Sequence, residues 1–245
     1  MIQRAQGALL GLVTGDALGS LVEFMNPQQI REKYPEGLRD IVGGGVYNTL
    51  AGQPTDDSEM AITLARSLIE KQGFFSDEVY QAYQEWLKSK PFDVGITISA
   101  ALNGQMDFQS QGNGALMRVA PIGIFGVNYS LDQVAEWAES DGSLTHPHPI
   151  CLQVNQLFAM AISHAVKNQT TAKELYDQIA HWAHEQEMLP AIIQVIEEAV
   201  AQPPQDYLSQ MGWVLIAFQN ALFQLLHAPN LVEGVVSTIK RGGDT

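Results

Sequence analysis

Two adjacent carboxylates and two hydroxyl groups crowd residues 55–59 (TDDSE), where a helical pattern begins. Acidic side chains at a helix N-terminus satisfy free N–H groups and favour the helix dipole, each by about 0.3–1 kcal/mol, so capping accounts for one or two of them. Capping does not require both Asp56 and Asp57, whereas hard cations such as Mg²⁺, Mn²⁺ and Ca²⁺ bind carboxylate and hydroxyl oxygens. The segment therefore indicates either a capped helix start or one side of a metal site, with the glycine-flanked Asp244 as a second acidic candidate.

A glycine-rich turn at residues 112–114 (GNG) runs directly into an apolar segment that ends at Met117 and Arg118. The N–H groups of such a turn can face an anion. The local sequence favours the simpler interpretation, an Asn-Gly turn in which Arg118 is solvated or paired with a carboxylate. Both alternatives stay open on the sequence alone.

Asp93 and the histidines do not define a chemistry by themselves. Asp93 stands in a break before a predicted helix, where we expect an N-cap residue. The proline-rich residues 145–149 (THPHP) could orient imidazoles towards a ligand, although a surface turn is the commoner outcome. His181 and His184 are expected to be solvated. Metalloprotease, P-loop, nucleophile-elbow and paired-cysteine motifs are absent, which excludes several common hydrolase and phosphotransferase classes.

The elements that must position these residues are helices. Apolar residues recur at spacings of three and four along most long segments, so the fold is predicted to be all-α. One helix begins after Pro54, where Asp56 and Glu59 have capping-box spacing, and the prolines at 203–204 separate two later helices. Further helix starts are expected at Ser76, Ser130 and Thr171.

Glycines mark two further features of the first 54 residues. Four glycines spaced four apart lie on one face of the first helix, which predicts tight packing against another backbone: Gly7, Gly11, Gly15 and Gly19. Between residues 27 and 54 the periodicity fails, and we expect a long ordered loop of the kind that is often functional. Because no linker or repeat interrupts the chain, residues 1–245 are predicted to form one compact domain.

The composition indicates a globular chain with strong negative charge. Its 245 residues include 13 Lys and Arg against 27 Asp and Glu, a formal charge of −14. Such a field repels duplex nucleic acid and anionic membranes, so neither is expected as a partner. The one cysteine, Cys151, cannot form an internal disulfide, and no apolar stretch reaches the roughly 18–20 residues of a membrane span. We expect a cytoplasmic, monomeric protein.

Taken together and in order, these segments resemble the ADP-ribosylglycohydrolase family, especially its bacterial branch that removes ADP-ribose from arginine on dinitrogenase reductase. The resemblance runs nearly end to end. One such motif is weak evidence, but six in the family's order are specific. They are residues 15–19 (GDALG) with 22–24 (VEF), 55–57 (TDD), 91–97 (PFDVGIT), 112–118 (GNGALMR), 145–147 (THP) and 242–245 (GGDT).

The resemblance implies an orthogonal all-α domain with a cleft that holds two divalent cations, Mg²⁺ or Mn²⁺. Thr55, Asp56 and Asp57 match the metal ligands on one side of this cluster. Asp244 matches the first of two C-terminal acids that face them. The ions would hold ribose hydroxyl groups and an activated water near the glycosidic carbon.

Two carboxylates match catalytic positions of the family. Asp93 corresponds to the proposed acid/base residue of the arginine-specific branch, and we favour it first, whereas Glu23 corresponds to the catalytic glutamate of the serine-specific relatives. The residues expected to contact ADP-ribose are Gly112, Asn113, Gly114, Met117, Arg118 and His146.

The implied function is metal-dependent hydrolysis of the N-glycosidic bond between ADP-ribose and an arginine side chain, which reverses protein mono-ADP-ribosylation. The implied partners are an ADP-ribosylated protein and ADP-ribose. Alternatives are the same chemistry on a serine, nucleic-acid-end or small-molecule linkage, and an ADP-ribose-binding relative without activity. A second Asp and a hydroxyl residue normally follow the final Asp-Thr pair and open a closing helix. We therefore expect a truncated sequence, and the alternative is an incomplete metal site.

Overall fold

The computed structural model describes all residues from 1 to 245 and contains twelve α-helices and no β-strand, so the predicted all-α class is confirmed. The helices are α1 (Ile2–Gly19), α2 (Pro27–Lys33), α3 (Asp56–Lys71), α4 (Ser76–Lys88), α5 (Ile96–Leu102), α6 (Ala120–Phe125), α7 (Leu131–Ser143), α8 (Pro149–Lys167), α9 (Ala172–Glu185), α10 (Pro190–Glu198), α11 (Val214–His227) and α12 (Leu231–Ile239). None of them is both long and apolar enough to cross a membrane.

Helix α8 organises the core. It packs against α6, α7 and α9, and a cluster of 34 buried apolar residues connects these helices with α3, α4, α10 and α11. A second cluster of six buried residues joins the end of α1 to α2 and α12. Because this smaller cluster includes Val22 and Ile30, it holds the chain on both sides of Glu23.

Most predicted helix starts are confirmed. Ser130 caps α7, and Thr171 forms a capping box with Glu174 at the start of α9. Helix α4 begins at Ser76, but Phe75 is its N-cap residue and no side chain caps it. The proline pair at 203–204 does lie between α10 and α11.

The prediction of one long loop from residue 27 to residue 54 is wrong in its first part. Asn26 forms a capping box with Gln29, and Pro27 occupies the first helical position, so α2 begins there. With seven residues, this helix is too short to show a hydrophobic period. Residues 34–55 are irregular, and an isolated bridge between Gly44 and Thr49 holds them.

The predicted tight packing of the α1 glycine face occurs at one glycine of four. A Cβ atom on Gly19 would overlap the backbone oxygen of Thr245, but the Cβ positions of Gly7 and Gly15 are in open space. Gly11 has one ordinary contact, at 3.8 Å from a Leu231 methyl group. Gly11 and Gly15 border an apolar groove of about 870 Å³ between α1, α8, α9, α11 and α12.

Candidate active site

The N-terminus of α3 is capped by a carboxylate from another helix. Asp16, in the last turn of α1, accepts hydrogen bonds from the backbone N–H of Thr55 (3.0 and 3.1 Å to its two oxygens) and of Ser58 (3.1 Å). The hydroxyl groups of Thr55 and Ser58 donate to the same carboxylate. One buried side chain therefore satisfies four donors and fixes the first turn of α3.

The predicted capping box of Asp56 and Glu59 is consequently wrong. The Glu59 carboxylate accepts a hydrogen bond from the Trp86 indole (2.7 Å), and Asp56 accepts one from the backbone N–H of Gly95 (3.1 Å). Asp57 takes no part in capping its own helix. Because Asp16 supplies the cap, the two aspartates of the first turn are available for other interactions.

Five carboxylates from four chain segments lie near one another at this end of α3. They are Asp56 and Asp57 in its first turn, Glu23 between α1 and α2, Asp93 before α5, and Asp244 near the end of the chain. None of the ion pairs in the molecule includes any of the five. The cluster therefore brings five acidic groups together without a basic ion-pair partner.

The mutual proximity of these groups changes their proton affinity. Burial, reinforced by the nearby Asp244, raises the pKa of Glu23 to about 8. Burial and the adjacent Asp93 raise the pKa of Asp56 to about 6. Loss of solvent around the Asp57 carboxylate, with the charge of Asp56, places its pKa well above the ordinary value. In each case the ionised form is disfavoured, and a cation in the cluster would reverse that preference.

The donor set fits a hard divalent cation. It consists of carboxylates and the Thr55 hydroxyl, which lies 3.3 Å from an oxygen of Asp57, and Mg²⁺ and Mn²⁺ prefer such oxygen ligands. No group of three Asp, Glu, His or Cys side chains is arranged so that these side chains alone could hold a metal ion. Hydroxyl, substrate or water oxygens would therefore complete a coordination shell. Whether one or two ions bind remains a prediction.

The last residues of the chain are clamped to the connection between α1 and α2. Glu23 accepts hydrogen bonds from the backbone N–H (3.1 Å) and the hydroxyl (3.3 Å) of Thr245. Gly243 accepts from the N–H of Phe24 (2.7 Å) and donates to the carbonyl of Met25 (2.9 Å). These bonds bring Glu23 and the C-terminal segment together.

The same clamp requires glycine and positions Asp244. Gly242 has φ of +71°, and a Cβ atom there would overlap the backbone of Met25. Asp244 lies 3.4 Å from the side-chain amide of Asn113, measured from Oδ2 to Nδ2. The C-terminal acid and the glycine-rich turn are thereby neighbours.

Two backbone donors of that turn are unpaired within the chain. The N–H of Asn113 donates to the carbonyl of Gly212 (2.9 Å), whereas the N–H groups of Gly112 and Gly114 have no acceptor within the chain. The His146 ring lies directly behind the turn, because a Cβ atom on Gly114 would be 2.9 Å from its Cε1. The glycines therefore make room for a ring, and two of their N–H groups have no acceptor within the chain.

His146 is a buried, neutral residue, so the surface-turn alternative is wrong for it. Only 2% of it is exposed, and its Nδ1 lies 2.9 Å from the Thr145 hydroxyl. Burial, with the charge of Arg118, lowers its pKa to about 3. His148 instead caps α8 by accepting a hydrogen bond from Ile150. His181 and His184 are exposed, as predicted.

Arg118 supports the turn from beneath, and its expected contact with ADP-ribose is not compatible with its position. It is fully buried, and its Nε donates to Asp141 (3.1 Å) and to the Tyr83 hydroxyl (3.1 Å). Its terminal nitrogens donate to the carbonyls of Gly114 (2.8 Å) and Asp141 (3.0 Å). The alternative of a carboxylate-paired arginine is confirmed. Met117 is half-buried against the main core.

Two residues of the site escaped the sequence analysis. Tyr47 lies beside Asp93, and burial together with this carboxylate raises the pKa of its hydroxyl. The sequence feature that could have indicated Tyr47 is the glycine-rich loop that contains it. Asp16 was visible only as part of the GDALG motif. Asp93 is not the expected N-cap, because Gly95 occupies that position of α5.

Comparison with known sequences decides the family. The sequence model of the family described as ADP-ribosylglycohydrolase matches residues 1–245. The chain belongs to the ADP-ribosylglycohydrolase family. Its fold agrees with a solved chain described as an ADP-ribosylglycohydrolase-related protein complex, with a TM-score of 0.83 and 26% identity over 98% of this chain and 81% of that one.

Curated relatives place the chain near bacterial members of the ADP-ribosylglycohydrolase family. It is 36% identical to the ADP-ribosyl-[dinitrogen reductase] glycohydrolase of Rhodospirillum rubrum over 63% of this chain and 56% of that protein. It is 30% identical to the ADP-ribosylarginine hydrolase Tri1 of Pseudomonas putida (strain GB-1) over 96% of this chain and 64% of that protein. The chain thus matches less than two thirds of the length of either relative.

Proposed function

We propose that this ADP-ribosylglycohydrolase hydrolyses the N-glycosidic bond between ADP-ribose and an arginine side chain of a modified protein. The observation that carries the proposal is the cluster of five acidic side chains without an ion-pair partner, beside a turn in which two backbone N–H groups have no acceptor. The names of the Rhodospirillum and Pseudomonas relatives support a protein-linked and an arginine-linked substrate, respectively.

The substrate is an anion, so its recognition needs positive or donor groups within an acidic cleft. The N–H groups of Gly112 and Gly114 can donate to the pyrophosphate oxygens. Mg²⁺ or Mn²⁺, held by Thr55, the aspartates of the α3 turn and Asp244, would supply positive charge that orients ribose hydroxyl groups and polarises the reacting centre. The protein itself contributes the carboxylates that favour positive charge at the anomeric carbon.

Cleavage also requires a proton on the departing guanidine nitrogen. We assign this transfer to the carboxyl group of Asp93, which forms no ion pair and caps no helix. Glu23 is the alternative, since its raised pKa lets it hold a proton near neutral pH. Its Oε2 already accepts two hydrogen bonds from Thr245, so we give Glu23 the role of positioning the C-terminal segment.

The direct test is release of free ADP-ribose from an arginine-ADP-ribosylated protein in Mg²⁺, in Mn²⁺ and in EDTA, with a serine-linked substrate alongside. We expect release from the arginine linkage in either cation and none in EDTA. Release from the serine-linked substrate alone would overturn the assigned linkage. Calorimetry with ADP-ribose then tests the remaining alternative, a relative without activity. Such a protein would bind ADP-ribose but release none from either substrate.

A further inference from the structure

An aromatic pair lies at the acidic cluster. The ring centroids of Tyr47 and Phe92 are 5.4 Å apart, and the ring planes are inclined by 59°. Phe92 immediately precedes Asp93 in the chain, and Tyr47 lies beside the same carboxylate. Two aromatic rings and Asp93 therefore share one side of the cluster.

Packing of the core does not account for these rings. Phe92 is 44% exposed, and neither Phe92 nor Tyr47 packs against either buried apolar cluster. A large apolar ring that is 44% exposed beside several acidic groups buries less apolar surface than a core residue and contributes less to folding. A ligand that contacts both the ring and the carboxylate would make use of the arrangement.

The backbone holds Tyr47 in a defined position. Gly44 and Thr49 exchange backbone hydrogen bonds of 2.9 and 2.8 Å across the turn that carries Tyr47. Gly45 has φ of +75°, and a Cβ atom there would lie 2.7 Å from the carbonyl oxygen of Ser20. The loop is thus pinned to the end of α1, and the tyrosine is positioned before any ligand arrives.

This combination of groups selects a planar cation. The face of an aromatic ring attracts positive charge, and a guanidinium group is planar, weakly hydrated and suited to stacking on such a face. A carboxylate beside the ring adds a charged acceptor for its N–H groups. A neutral hydroxyl leaving group gains neither interaction.

We propose that Tyr47 and Phe92, together with Asp93, bind the guanidinium group of the modified arginine and thereby set a preference for arginine over serine linkages. The inference deepens the proposed function and rests on it. It identifies two residues that touch the amino-acid side of the substrate. In this proposal the glycine-rich turn and the acidic cluster bind the ADP-ribose part of the substrate.

The test measures binding of agmatine, a free alkylguanidinium, by titration of the full chain in Mg²⁺ with saturating ADP-ribose. n-Butylurea serves as the neutral planar comparison. We expect agmatine to bind at least about fivefold more tightly than n-butylurea. Phe92→Ala and Phe92→Leu should each weaken agmatine binding about fivefold or more, and Phe92→Tyr should retain it. ADP-ribose affinity should stay within about twofold in all three variants.

Phe75→Ala is the matched control. Phe75 is 55% exposed, but it lies beyond the opposite end of α3, roughly 24 Å along the helix from Asp56, at 1.5 Å per residue. Its agmatine affinity should equal that of the unmodified chain. Thermal melting of each variant identifies any that is unfolded, and Phe92→Leu preserves apolar volume where Phe92→Ala does not.

Because binding is measured without turnover, the inference and the proposed function can fail separately. Equal binding of agmatine and n-butylurea, or unchanged agmatine binding in Phe92→Leu, would overturn the inference even if ADP-ribose is released from arginine. Agmatine binding that depends on the Phe92 ring would support it even in a chain without hydrolase activity. With turnover, the ratio of arginine-linked to serine-linked kcat/KM should fall in Phe92→Ala and stay constant in Phe75→Ala.

Discussion

Asp16 and Thr55 are 39 residues apart in the sequence, yet the Asp16 carboxylate receives both the backbone N–H and the hydroxyl of Thr55. This relationship ties the end of α1 to the start of α3. It also orients a hydroxyl group that the family resemblance assigns to the metal site. A substitution of Asp16 should therefore affect stability and metal affinity together.

We predict that Asp16→Asn destabilises the protein by about 1–2 kcal/mol, because an amide replaces one acceptor oxygen by a donor that opposes the N–H groups of α3. Urea denaturation measures this loss, and Mn²⁺ titration should show weaker binding. Asp40→Asn is the control, since Asp40 is exposed and forms no hydrogen bond through its side chain. Equal stability of the Asp16→Asn variant and the unmodified chain would contradict the capping role.

Asp56 and Asp93 should separate metal binding from proton transfer. Asp56→Asn is expected to weaken Mn²⁺ binding at least about tenfold and to remove activity with it. Asp93→Asn should keep Mn²⁺ affinity within about twofold and lower turnover about 10²-fold to 10⁴-fold. Calorimetry with Mn²⁺ and the ADP-ribose release assay give the two readouts. Equal loss of metal affinity in both variants would refute this division of roles.

The contribution of Glu23 to the stability of the metal-free protein should fall as the pH rises. Glu23 has a folded-state pKa of about 8 against an ordinary value of 4.5, so the folded state retains a proton that the unfolded state releases. The stabilisation that Glu23 contributes is complete below about pH 4.5 and decreases progressively until about pH 8. We expect a loss of at least about 1 kcal/mol across this window, and denaturation at several pH values in EDTA measures it.

Glu23→Gln is the control for the pH dependence. The variant has no titrating group at this position. The change in its free energy of unfolding between pH 5 and pH 8 should therefore differ from that of the unmodified chain by roughly the contribution of one carboxylate. Mg²⁺ should flatten the profile of the unmodified chain by compensating the charge. The same pH dependence in EDTA for Glu23→Gln and the unmodified chain would contradict the prediction.

The buried pair of Arg118 and Asp141 should be essential for the shape of the glycine turn. Arg118→Met leaves a buried carboxylate without its partner, and we expect a destabilisation of about 3–5 kcal/mol. The double variant Arg118→Met/Asp141→Leu should recover much of this loss in thermal or urea denaturation.

Arg118→Lys tests the positioning role in a folded protein. A lysine cannot donate to Asp141, Tyr83 and Gly114 at once, so we expect the KM for the ADP-ribosylated substrate to rise by about tenfold while kcat changes less. Arg66→Lys is the control, since Arg66 is exposed and forms no ion pair. A change in kcat at constant KM would argue against positioning through the turn.

Local patterns determined the helices and the candidate chemistry. The spacing of apolar residues predicted an all-α fold, and Thr171 predicted the start of α9, because both signals depend on residues within one or two turns. The order of short motifs was enough to identify the ADP-ribosylglycohydrolase family.

Contacts between distant segments were decided by the tertiary structure alone. Local spacing assigned the α3 cap to Asp56 and Glu59, but Asp16 supplies it from α1, so neither Asp56 nor Asp57 is used as a cap. The same holds for Arg118, whose carboxylate partner and burial depend on how α7 packs against α8. The sequence determines which charged, hydroxyl and aromatic side chains are available. Their burial and their neighbours, which set the pKa values and the hydrogen-bond partners, are determined only when the helices pack.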